Sequence, residues 1–518
     1  MRVCSSRTRA VAEDPTTEGQ SPEAERTRPM SRNWSPQQNA IFAWFKKAVG
    51  HLIVRARAGT GKTTTILEAI NHAMWAGKIL LCAFNKVIAD ELAKRLTNPR
   101  AQARTLHSMG QYFCTKVWGK ALKVDENRGK RLAAKAIGTD SVPTEIVKLV
   151  RDLASLGKNI KPFALPGELH QLAIEFQIIP PVYGHEDDWT VRDIAGAAHV
   201  AMQLATENDG CIDYDDMIWL PVRMKWAFAF FDLVVVDEAQ DMNPTQLLLA
   251  KAMCRRTGHI VVVGDDRQAI YGFRGADSNA LDNLKRELNA AELPLTITYR
   301  CPSKVVKIAK RIVPDFAAAP EAPEGIVDTI NVGKLYNHVQ PGNFVLSRSN
   351  APLAKICLSL LRQGRKAVIR GRDIGKTLMA IVRRMEADSI PDLAQSIARW
   401  ETNTIETMTK AEASESAIQY VIDQAATIIA LCEGLANVSE LESRLHELFS
   451  NNDVDHAVVC SSIHKAKGLE TERVFLLVDT LYPGSNRPDY EESAEEANIE
   501  YVGVTRAKAH LTLVQGRP

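Results

Sequence analysis

The feature that most constrains this chain is a short glycine-bearing loop that follows an apolar segment and opens a helix. The loop reads Ala-Arg-Ala-Gly-Thr-Gly-Lys-Thr-Thr at residues 56–64, and the apolar segment before it is His51–Val54. A strand, a glycine-rich turn and a helix N-terminus in this order form a phosphate-binding loop. The loop therefore predicts an α/β fold with a parallel sheet and a bound nucleoside triphosphate.

Each residue type in the loop suits a phosphate group. Backbone N–H groups around Gly59 and Gly61 can surround phosphate oxygens, because glycine lets the backbone approach closely. We expect Lys62 to reach the β- and γ-phosphates and the Thr63 hydroxyl to bind Mg²⁺. Ala56 stands where the general pattern has glycine, so the loop alone indicates nucleotide binding and nothing more specific. The residues expected to line the nucleotide here are Ala58, Gly59, Thr60, Gly61, Lys62, Thr63 and Thr64.

Bulk properties exclude several classes of protein. With 45% hydrophobic and 24% charged residues, the chain is typical of a soluble globular protein. No apolar run is long enough to span a bilayer, so we expect a cytoplasmic protein, in the nucleoid or in a host cell if a phage or plasmid encodes it. The nine cysteines are scattered without a Cys-x-x-Cys pair, which indicates reduced thiols. A net charge of +2 neither requires nor excludes nucleic acid.

The chain is long enough for about three or four domains. Two stretches alternate short β-branched segments with helical patterns, which predicts two α/β domains, each interrupted by a mainly helical insertion. The predicted boundaries are a disordered tail at 1–33, a first domain at 34–110 and 211–290 with an insertion at 111–210, and a second domain at 291–374 and 456–518 with a reduced insertion at 375–455. The predicted strands are His51–Val54, Ile79–Ala83, Leu233–Val236, His259–Val263, Gly342–Leu346, Lys366–Ile369, Ala457–Ile463, Val474–Val478 and Leu511–Val514.

Two adjacent carboxylates follow one of these strands. Leu233–Val236 is apolar, and Asp237 and Glu238 come directly after it. Ligands of open α/β sheets bind at the carboxyl ends of strands. Asp237 is expected to hold Mg²⁺, directly or through water, and Glu238 to polarise an attacking water. A strand end followed by an ordinary helix is the competing interpretation, and the presence of Lys62 makes it improbable.

A polar turn follows the strand at His259–Val263. There Gln268 can hydrogen-bond both a γ-phosphate and the attacking water, while Tyr271 and Phe273 can stack on bases beside Arg274. Aromatic rings next to cations hold single-stranded nucleic acid without sequence preference. Taken singly, each aromatic residue could equally belong to the core.

These segments, Asp-Glu-Ala-Gln-Asp and Gly-Asp-x-x-Gln-x-Ile-Tyr-x-Phe-Arg-Gly-Ala, resemble the superfamily 1 DNA helicases of the UvrD/Rep type. Further motifs of that family recur in order between Trp34 and Leu513. The Phe-Asn-Lys and Thr-Leu-His-Ser segments also resemble the F-box DNA helicase and phage-encoded branch. The resemblance implies two RecA-like domains, ATP and Mg²⁺ as cofactors, and movement on single-stranded DNA from 3′ to 5′. The motif segments are Trp34–Gln38, Cys82–Lys86, Thr105–Ser108, Asp213–Met217, Leu295–Arg300, Ser462–Glu470 and Tyr501–Ala507.

The resemblance also implies roles for residues outside the loop. Gln38 would recognise adenine, Tyr299 would stack on it, and Arg300 would meet the γ-phosphate. Arg506 would be the arginine finger, and Gly468 and Glu470 would complete the nucleotide site. The residues that would contact DNA, together with the aromatic turn, are Phe84, Asn85, Thr105, His107, Tyr271, Phe273, Arg274, His464 and Lys465.

Some features depart from the family pattern. The second insertion is short, where full-length relatives carry a large regulatory subdomain, and the chain ends at Pro518, so we expect no C-terminal nuclease or tethering tail. The segment 375–377 is similar to a second phosphate loop but lacks the upstream glycine, where Arg370 stands, and it predicts a helix start. Glu495 and Glu496 are interpreted as a solvated helix face.

The leading hypothesis is therefore an ATP-dependent DNA helicase or translocase that acts as a monomer on single-stranded and tailed duplex DNA, with repair, replication or recombination proteins as partners. A DNA-dependent switch that displaces or recruits proteins with little unwinding is the alternative. A small-molecule kinase that shares only the loop is disfavoured by Gln268 and Arg506 together. RNA is disfavoured as a substrate by the resemblance alone.

Overall fold

The computed structural model describes residues 33–83, 85–119, 121–138, 143–176, 178–180, 189–270, 280–410, 415–449, 456–482, 494–516 and 518. Two six-stranded sheets with parallel strand pairs dominate the fold, and helices cover them. This confirms the predicted α/β class with parallel sheets. Among the described helices, none combines the length and the apolar character needed to cross a membrane.

The elements from the N-terminus to the end of the first sheet interleave strands with helices. In chain order they are α1 (Pro36–Lys47), β1 (Leu52–Ala56), α2 (Lys62–His72), β2 (Ile79–Ala83), α3 (Lys86–Arg95), β3 (Ala101–Thr105), α4 (Leu106–Trp118), β4 (Lys123–Val124), α5 (Arg128–Ile137), α6 (Thr144–Ile160), α7 (Pro166–Glu175), α8 (Val191–Leu204), β5 (Cys211–Ile212), α9 (Tyr214–Arg223), β6 (Phe231–Val236), α10 (Pro244–Met253), β7 (Cys254–Gly264), α11 (Ala280–Leu288) and β8 (Ala291–Leu295).

The remaining elements form a two-stranded sheet of β9 and β10 and the second six-stranded sheet with its helices. They are β9 (Ile297–Thr298), α12 (Ser303–Ala309), β10 (Ala317–Ala318), β11 (Ile326–Asn331), α13 (Val332–His338), β12 (Phe344–Ser347), α14 (Ala351–Arg362), β13 (Ala367–Arg370), α15 (Arg372–Arg384), α16 (Ile390–Lys410), α17 (Glu415–Leu431), α18 (Val438–Leu448), β14 (Val458–Ser462), α19 (Ile463–Ala466), β15 (Thr471–Leu477), α20 (Ala494–Val504) and β16 (Ala507–Gln515).

The first sheet has the strand order β3-β2-β6-β7-β1-β8. Its inner strands are apolar runs because both faces are covered by helices, and all five residues of β2 are buried. The carboxyl ends of β6, β7 and β1 lie side by side in this order. The phosphate loop, the acidic pair after β6 and the polar turn after β7 therefore meet at one edge. We call this sheet with its covering helices the first unit.

The second sheet has the order β11-β16-β15-β12-β14-β13, and with its helices it forms the second unit. The inner strand β14 is fully buried, and its carboxyl end leads into α19, which carries His464 and Lys465. The last helix, α20, precedes the final strand and lies against the first unit at the turn that follows β7. Two RecA-like units facing each other are consistent with this arrangement.

Several predicted boundaries need correction. Strand β8 pairs with β1, so the first unit extends to Leu295 and the boundary at 290/291 is wrong. The boundary at 110/111 lies inside α4, because Gly110 continues that helix. Gly110 also allows α9 to pack closely on α4, since a Cβ there would lie 1.8 Å from the Met217 carbonyl oxygen. The boundary at 374/375 lies inside α15, which begins at Arg372.

Candidate active site

The phosphate loop turns sharply between β1 and α2. Both Gly59 (φ +68°) and Gly61 (φ +74°) have left-handed backbone conformations that favour glycine. A Cβ on Gly59 would lie 2.5 Å from the Cβ of Arg300, so a side chain would displace the segment that follows β9. That segment is fixed to the loop, since the Tyr299 backbone N–H donates to the Gly59 carbonyl (2.9 Å). The loop and Arg300 therefore form one wall.

Lys62 and Glu238 form the central ion pair. The Lys62 Nζ donates to Glu238 Oε2 at 2.9 Å, and both side chains are mostly buried. Burial alone would raise the pKa of Glu238, but the charge of Lys62 and a hydrogen bond from Gln240 lower it to about 2. Burial lowers the pKa of Lys62, yet Glu238, Asp265 and Asp237 together raise it. Glu238 is thus a very weak base while Lys62 remains beside it.

Asp237 lies next to the loop threonine that the sequence assigns to Mg²⁺. Its carboxylate is hydrogen-bonded to the side chain of Thr63, and burial, followed by the charge of Glu238, raises its pKa to about 6. A carboxylate and a hydroxyl oxygen are hard ligands of the kind that Mg²⁺ uses, with phosphate oxygens and water completing the shell. These two residues fit a magnesium ion.

A buried hydrogen-bonded chain continues from Glu238 to Gln268. Gln240 donates to Glu238 Oε2 (2.6 Å) and accepts from the Asp265 backbone N–H (3.0 Å). Gln268 in turn donates to Asp265 Oδ2 (2.6 Å). The structure thus brings Lys62, Glu238 and Gln268 into one network. Gln240 and Asp265 were not assigned a role from the sequence, although both lie within the quoted motifs.

Arg300 and Arg506 form a pair of neighbouring cations. Arg300 Nε lies 2.5 Å from Glu470 Oε2. Arg506 is 1% exposed and donates to the carbonyls of Val502 (2.9 Å) and Leu469 (3.2 Å), within the second unit. Burial, followed by the charge of Arg300, lowers the pKa of Arg506 to about 10. Among the described contacts, none joins Arg506 to Lys62 or Glu238, but the two guanidinium groups favour an anion near them.

Gln38 and Tyr299 lie together beside the loop. Gln38 donates to the Thr65 hydroxyl (2.9 Å) and accepts from the Tyr299 hydroxyl (3.4 Å). Its side chain also caps α1 by accepting from the Ser35 backbone N–H. The Tyr299 ring is 54% exposed, so it offers a flat face next to a carboxamide. An aromatic face beside such a group suits a nucleobase.

The remaining predicted nucleotide residues have structural partners. The Thr60 hydroxyl donates to the Arg57 carbonyl (2.9 Å), and Thr64 accepts from Arg95 (3.3 Å). Gly468 has a φ of +83°, just before Glu470. The Ala58 N–H donates to the hydroxyl of Tyr501 in the second unit (2.8 Å), so a direct contact closes the space between the units at the loop.

Two cations that the sequence did not assign also belong to the site. Lys467, from the second unit, pairs at 2.5 Å with Asp241, which lies three residues after Glu238. Arg57, within the loop, pairs with Asp265 (3.2 Å) and with Asp315 (3.0 Å). Lys467 lies within the motif segment Ser462–Glu470, which was the available signal.

The predicted DNA-contacting residues occupy the carboxyl ends of strands. Asn85 follows β2 and caps α3, and Thr105 ends β3 and caps α4. Burial lowers the pKa of His107, against an opposing effect of Asp215. In α19, after β14, Lys465 pairs with Asp373. The other predicted contacts, Phe84, Tyr271, Phe273 and Arg274, lie outside the described residues.

One prediction near the site is wrong. Glu496 does not lie on a solvated face, because it is 8% exposed and accepts both Nε and Nη2 of Arg348 (2.7–3.0 Å). Bidentate pairing of this kind fixes the orientation of both side chains. The helix α20 is therefore tied to the carboxyl end of β12.

Comparison with known proteins agrees with this geometry. Residues 34–289 match the UvrD/REP helicase N-terminal domain and residues 376–516 match the UvrD-like helicase C-terminal domain. ATP-dependent DNA helicase UvrD2 of Mycobacterium bovis is 27% identical over 90% of this chain and 76% of its own length. ATP-dependent DNA helicase PcrA of Bacillus subtilis is 25% identical over 54% of this chain and 39% of its own. F-box DNA helicase protein 1 of Schizosaccharomyces pombe is 23% identical over 89% of this chain and 55% of its own. The chain belongs to the UvrD/Rep-type superfamily 1 helicases.

Proposed function

We propose that this chain hydrolyses ATP between its two units and uses the energy to move along single-stranded DNA and unwind tailed duplexes. The observation that carries the proposal is the buried chain from Lys62 through Glu238 and Gln240 to Asp265 and Gln268. It joins the phosphate-binding lysine to a general base and to a side chain that can detect the γ-phosphate. The names of the relatives, ATP-dependent DNA helicases, support the same activity.

The ion pair between Lys62 and Glu238 explains how hydrolysis waits for substrate. While Lys62 neutralises Glu238, the pKa of the carboxylate is about 2 and it accepts protons poorly. ATP phosphates compete for Lys62, and its departure raises the basicity of Glu238. Gln240 still holds Oε2, which leaves the other carboxylate oxygen for the attacking water. Binding of ATP thus activates Glu238 as a base.

Thr63 and Asp237 would hold Mg²⁺, which when bound neutralises charge on the β- and γ-phosphates. Arg300, which lies 2.5 Å from Glu470, and the buried Arg506 would supply further positive charge to the phosphates. Stabilisation of developing charge by preoriented cations is often the largest contribution to such a reaction. Tyr299 and Gln38 would hold the adenine.

DNA would lie across the carboxyl ends of both sheets, where Asn85, Thr105 and His107 in the first unit and His464 and Lys465 in the second are found. ATP-driven opening and closing of the units would move these two groups relative to each other. The 3′ to 5′ direction, the monomeric state, the placement in the F-box branch and a cytoplasmic location remain predictions from the sequence.

A protein-displacing translocase with little unwinding is a second candidate. The observation that favours it is that α15–α18 pack in the same core as the second sheet, so the second unit carries no separately packed helical subdomain among its described residues. Duplex separation would then rest on the first unit and its insertion.

The first test is Lys62→Ala, with Lys47→Ala as a matched control, since Lys47 is an exposed lysine at the end of α1. We expect the DNA-stimulated ATPase rate of Lys62→Ala to fall by a factor on the order of 100 or more, because the phosphates lose their principal cation. Binding to labelled single-stranded DNA should be nearly unchanged. Wild-type turnover by Lys62→Ala would refute the assignment of this loop.

Unwinding is separated from movement by two assays on the wild-type protein. Strand displacement is measured on duplexes with 3′ or 5′ tails, and translocation on single strands carrying a fluorophore at either end. Displacement only from 3′ tails supports the leading proposal, and translocation without displacement supports the second candidate. Hydrolysis that DNA does not stimulate contradicts both.

A further inference from the structure

The turn that carries Gln268 is held by two side chains of the second unit. This 3-10 turn spans Asp266–Gln268, and its Asp266 carbonyl accepts from the Ala269 N–H (3.2 Å). A carbonyl oxygen has two lone pairs, so it can accept a further donor from outside the turn. Asn498 on α20 donates its Nδ2 to the carbonyls of Asp266 (3.3 Å) and Ala269 (3.2 Å). Lys467 donates to the carbonyl of Gln268 (2.6 Å). The carbonyl groups of Asp266, Gln268 and Ala269 thus all accept donors from across the interface.

The helix that carries Asn498 also contacts the phosphate loop. Tyr501 lies three residues further along α20, on the same helix face, and its hydroxyl accepts from the Ala58 N–H at 2.8 Å. Both side chains are buried, Asn498 at 3% exposure and Tyr501 at 0%. Arg506 follows two residues after α20 ends. One short helix therefore links the loop, the Gln268 turn and the proposed arginine finger.

We propose that Asn498 is a positioning residue that couples movement of the second unit to Gln268, which deepens the proposed function and rests on it. If the units separate, the Asp266 and Ala269 carbonyls both lose Asn498 as a donor, and the Asp266 carbonyl keeps its bond from the Ala269 N–H. The turn must then either follow α20 or bind water in place of Asn498. Gln268 is fixed to Asp265 by a 2.6 Å hydrogen bond, so a shift of the turn moves the γ-phosphate-facing side chain with it. In sequence, the aromatic residues predicted to contact DNA come directly after this turn.

The chemistry of an amide suits this role. One –NH₂ group has two donors, and in Asn498 they serve two carbonyls that lie three residues apart. An aspartate has the same shape but only acceptors when ionised, so Asn498→Asp keeps the packing and removes the clamp. Asn498→Ser retains one donor and should be intermediate.

The test compares Asn498→Asp with Glu500→Gln. Glu500 lies on the same helix, but its partner is the Tyr482 hydroxyl (2.5 Å) within the second unit. We measure ATPase rates with and without single-stranded DNA, KM for ATP, ATP consumed per nucleotide moved, and thermal unfolding. In Asn498→Asp we expect DNA-stimulated kcat to fall about ten-fold, as two ordinary hydrogen bonds are lost. We expect basal turnover and KM to stay within about two-fold of wild type, and ATP consumed per nucleotide to rise.

Two results would overturn the proposal. One is wild-type DNA stimulation and wild-type ATP consumption per nucleotide in a folded Asn498→Asp. The other is an equal loss of basal and stimulated rates together with a lowered unfolding temperature, which Asn498→Ser does not relieve and which indicates a role in packing alone. If the wild-type protein shows no DNA stimulation, the proposed function itself fails, and that result is obtained before any variant is compared.

Discussion

The two helical insertions of this chain join their sheets in different ways. The first insertion, α5–α8, packs with α4 and α9 in a core whose buried members include no strand of the six-stranded sheet among the described residues. The second insertion, α15–α18, shares one core with β12, β13, β14, β15 and β16. One insertion is therefore a body of its own attached to a unit, and the other is part of its unit.

Buried polar contacts attach the first insertion to the helices α9 and α10. Arg128 on α5 and Lys158 on α6 both pair with Asp216 on α9, at 2.5 and 2.7 Å, and all three side chains are buried. The Thr245 hydroxyl of α10 donates to the Lys158 carbonyl (2.7 Å), which connects the insertion to the helix after the acidic motif. Directional bonds of this kind fix the orientation of the insertion, in addition to its apolar packing on α4 and α9.

The second insertion is attached at the loop after β12. Asp423 on α17 accepts from the backbone N–H groups of Asn350 (2.8 Å) and Ala351 (3.1 Å), where α14 begins. Because apolar packing continues from these helices into the sheet, we infer that they move with the second unit during an ATP cycle.

The largest expected effect is in Asp216→Ala. Removing this carboxylate leaves Arg128 and Lys158 buried with one partner fewer, a change that typically costs about 3–5 kcal/mol. If the first insertion is a body of its own, hydrogen exchange in Asp216→Ala will show lost protection in α5–α8 and little change in the second unit. Asp209→Ala is the control, because Asp209 is the 39% exposed partner of the same arginine and should cost less than about 1 kcal/mol. Equal loss of protection in α5–α8 and in the second unit would contradict the view that the first insertion is a separate body.

The second prediction pairs Leu153→Ala with Leu441→Ala. Each leucine is fully buried, one in the core of the first insertion and one in the core shared by the second insertion and its sheet. Each truncation should cost about 2–5 kcal/mol in unfolding free energy. Protection should fall in the helices alone for Leu153→Ala, but in the helices and in β13 and β14 for Leu441→Ala. Loss of protection confined to α15–α18 in Leu441→Ala would show that the second insertion is also a body separate from its sheet.

The difference between buried and edge positions also explains what the sequence could predict of the fold. Every inner strand of both sheets was predicted, because strands covered on both faces are apolar runs. Of the four edge strands, β13 was predicted and β3, β8 and β11 were missed. β8 contains Pro294, and in β3 the exposed Gln102 and Arg104 alternate with less exposed residues. Both features are typical of edge strands. The shared core of the second insertion could not be predicted, since helix periodicity shows that a face is buried but not what buries it.

The same limit applies to the site. The residues to which the sequence assigns a chemical role, among them Lys62, Glu238 and Gln268, lie in one hydrogen-bonded network of the structure. The residues that orient them, Gln240 and Asp265, are identified only by hydrogen bonds between distant segments of the chain. A sequence pattern shows which groups can react, whereas the contacts that hold them depend on the tertiary fold.

The smallest expected effect concerns pH and the start of α9, the helix on which the first insertion packs. Asp213 caps α9 by accepting from the Asp216 N–H (2.8 Å), and it lies 3.7 Å from Lys158. Burial raises its pKa to about 6 from an ordinary 3.8, with Lys158 opposing that shift and Asp216 adding to it. Asparagine can make the same cap without a charge, so Asp213→Asn isolates the titration from the geometry.

The sign of the effect follows from where the proton binds. Between about pH 4 and pH 6 the folded protein holds a proton on Asp213 that the unfolded chain has released, so this group lowers stability as pH rises through that window. Asp213→Asn should therefore match wild type near pH 4 and exceed it at pH 7 by on the order of 1 kcal/mol. Unfolding by denaturant at both pH values, with hydrogen exchange to locate the change, measures this. A gain at pH 7 that protects the second unit equally would mean that the two insertions are more strongly coupled than their separate cores indicate.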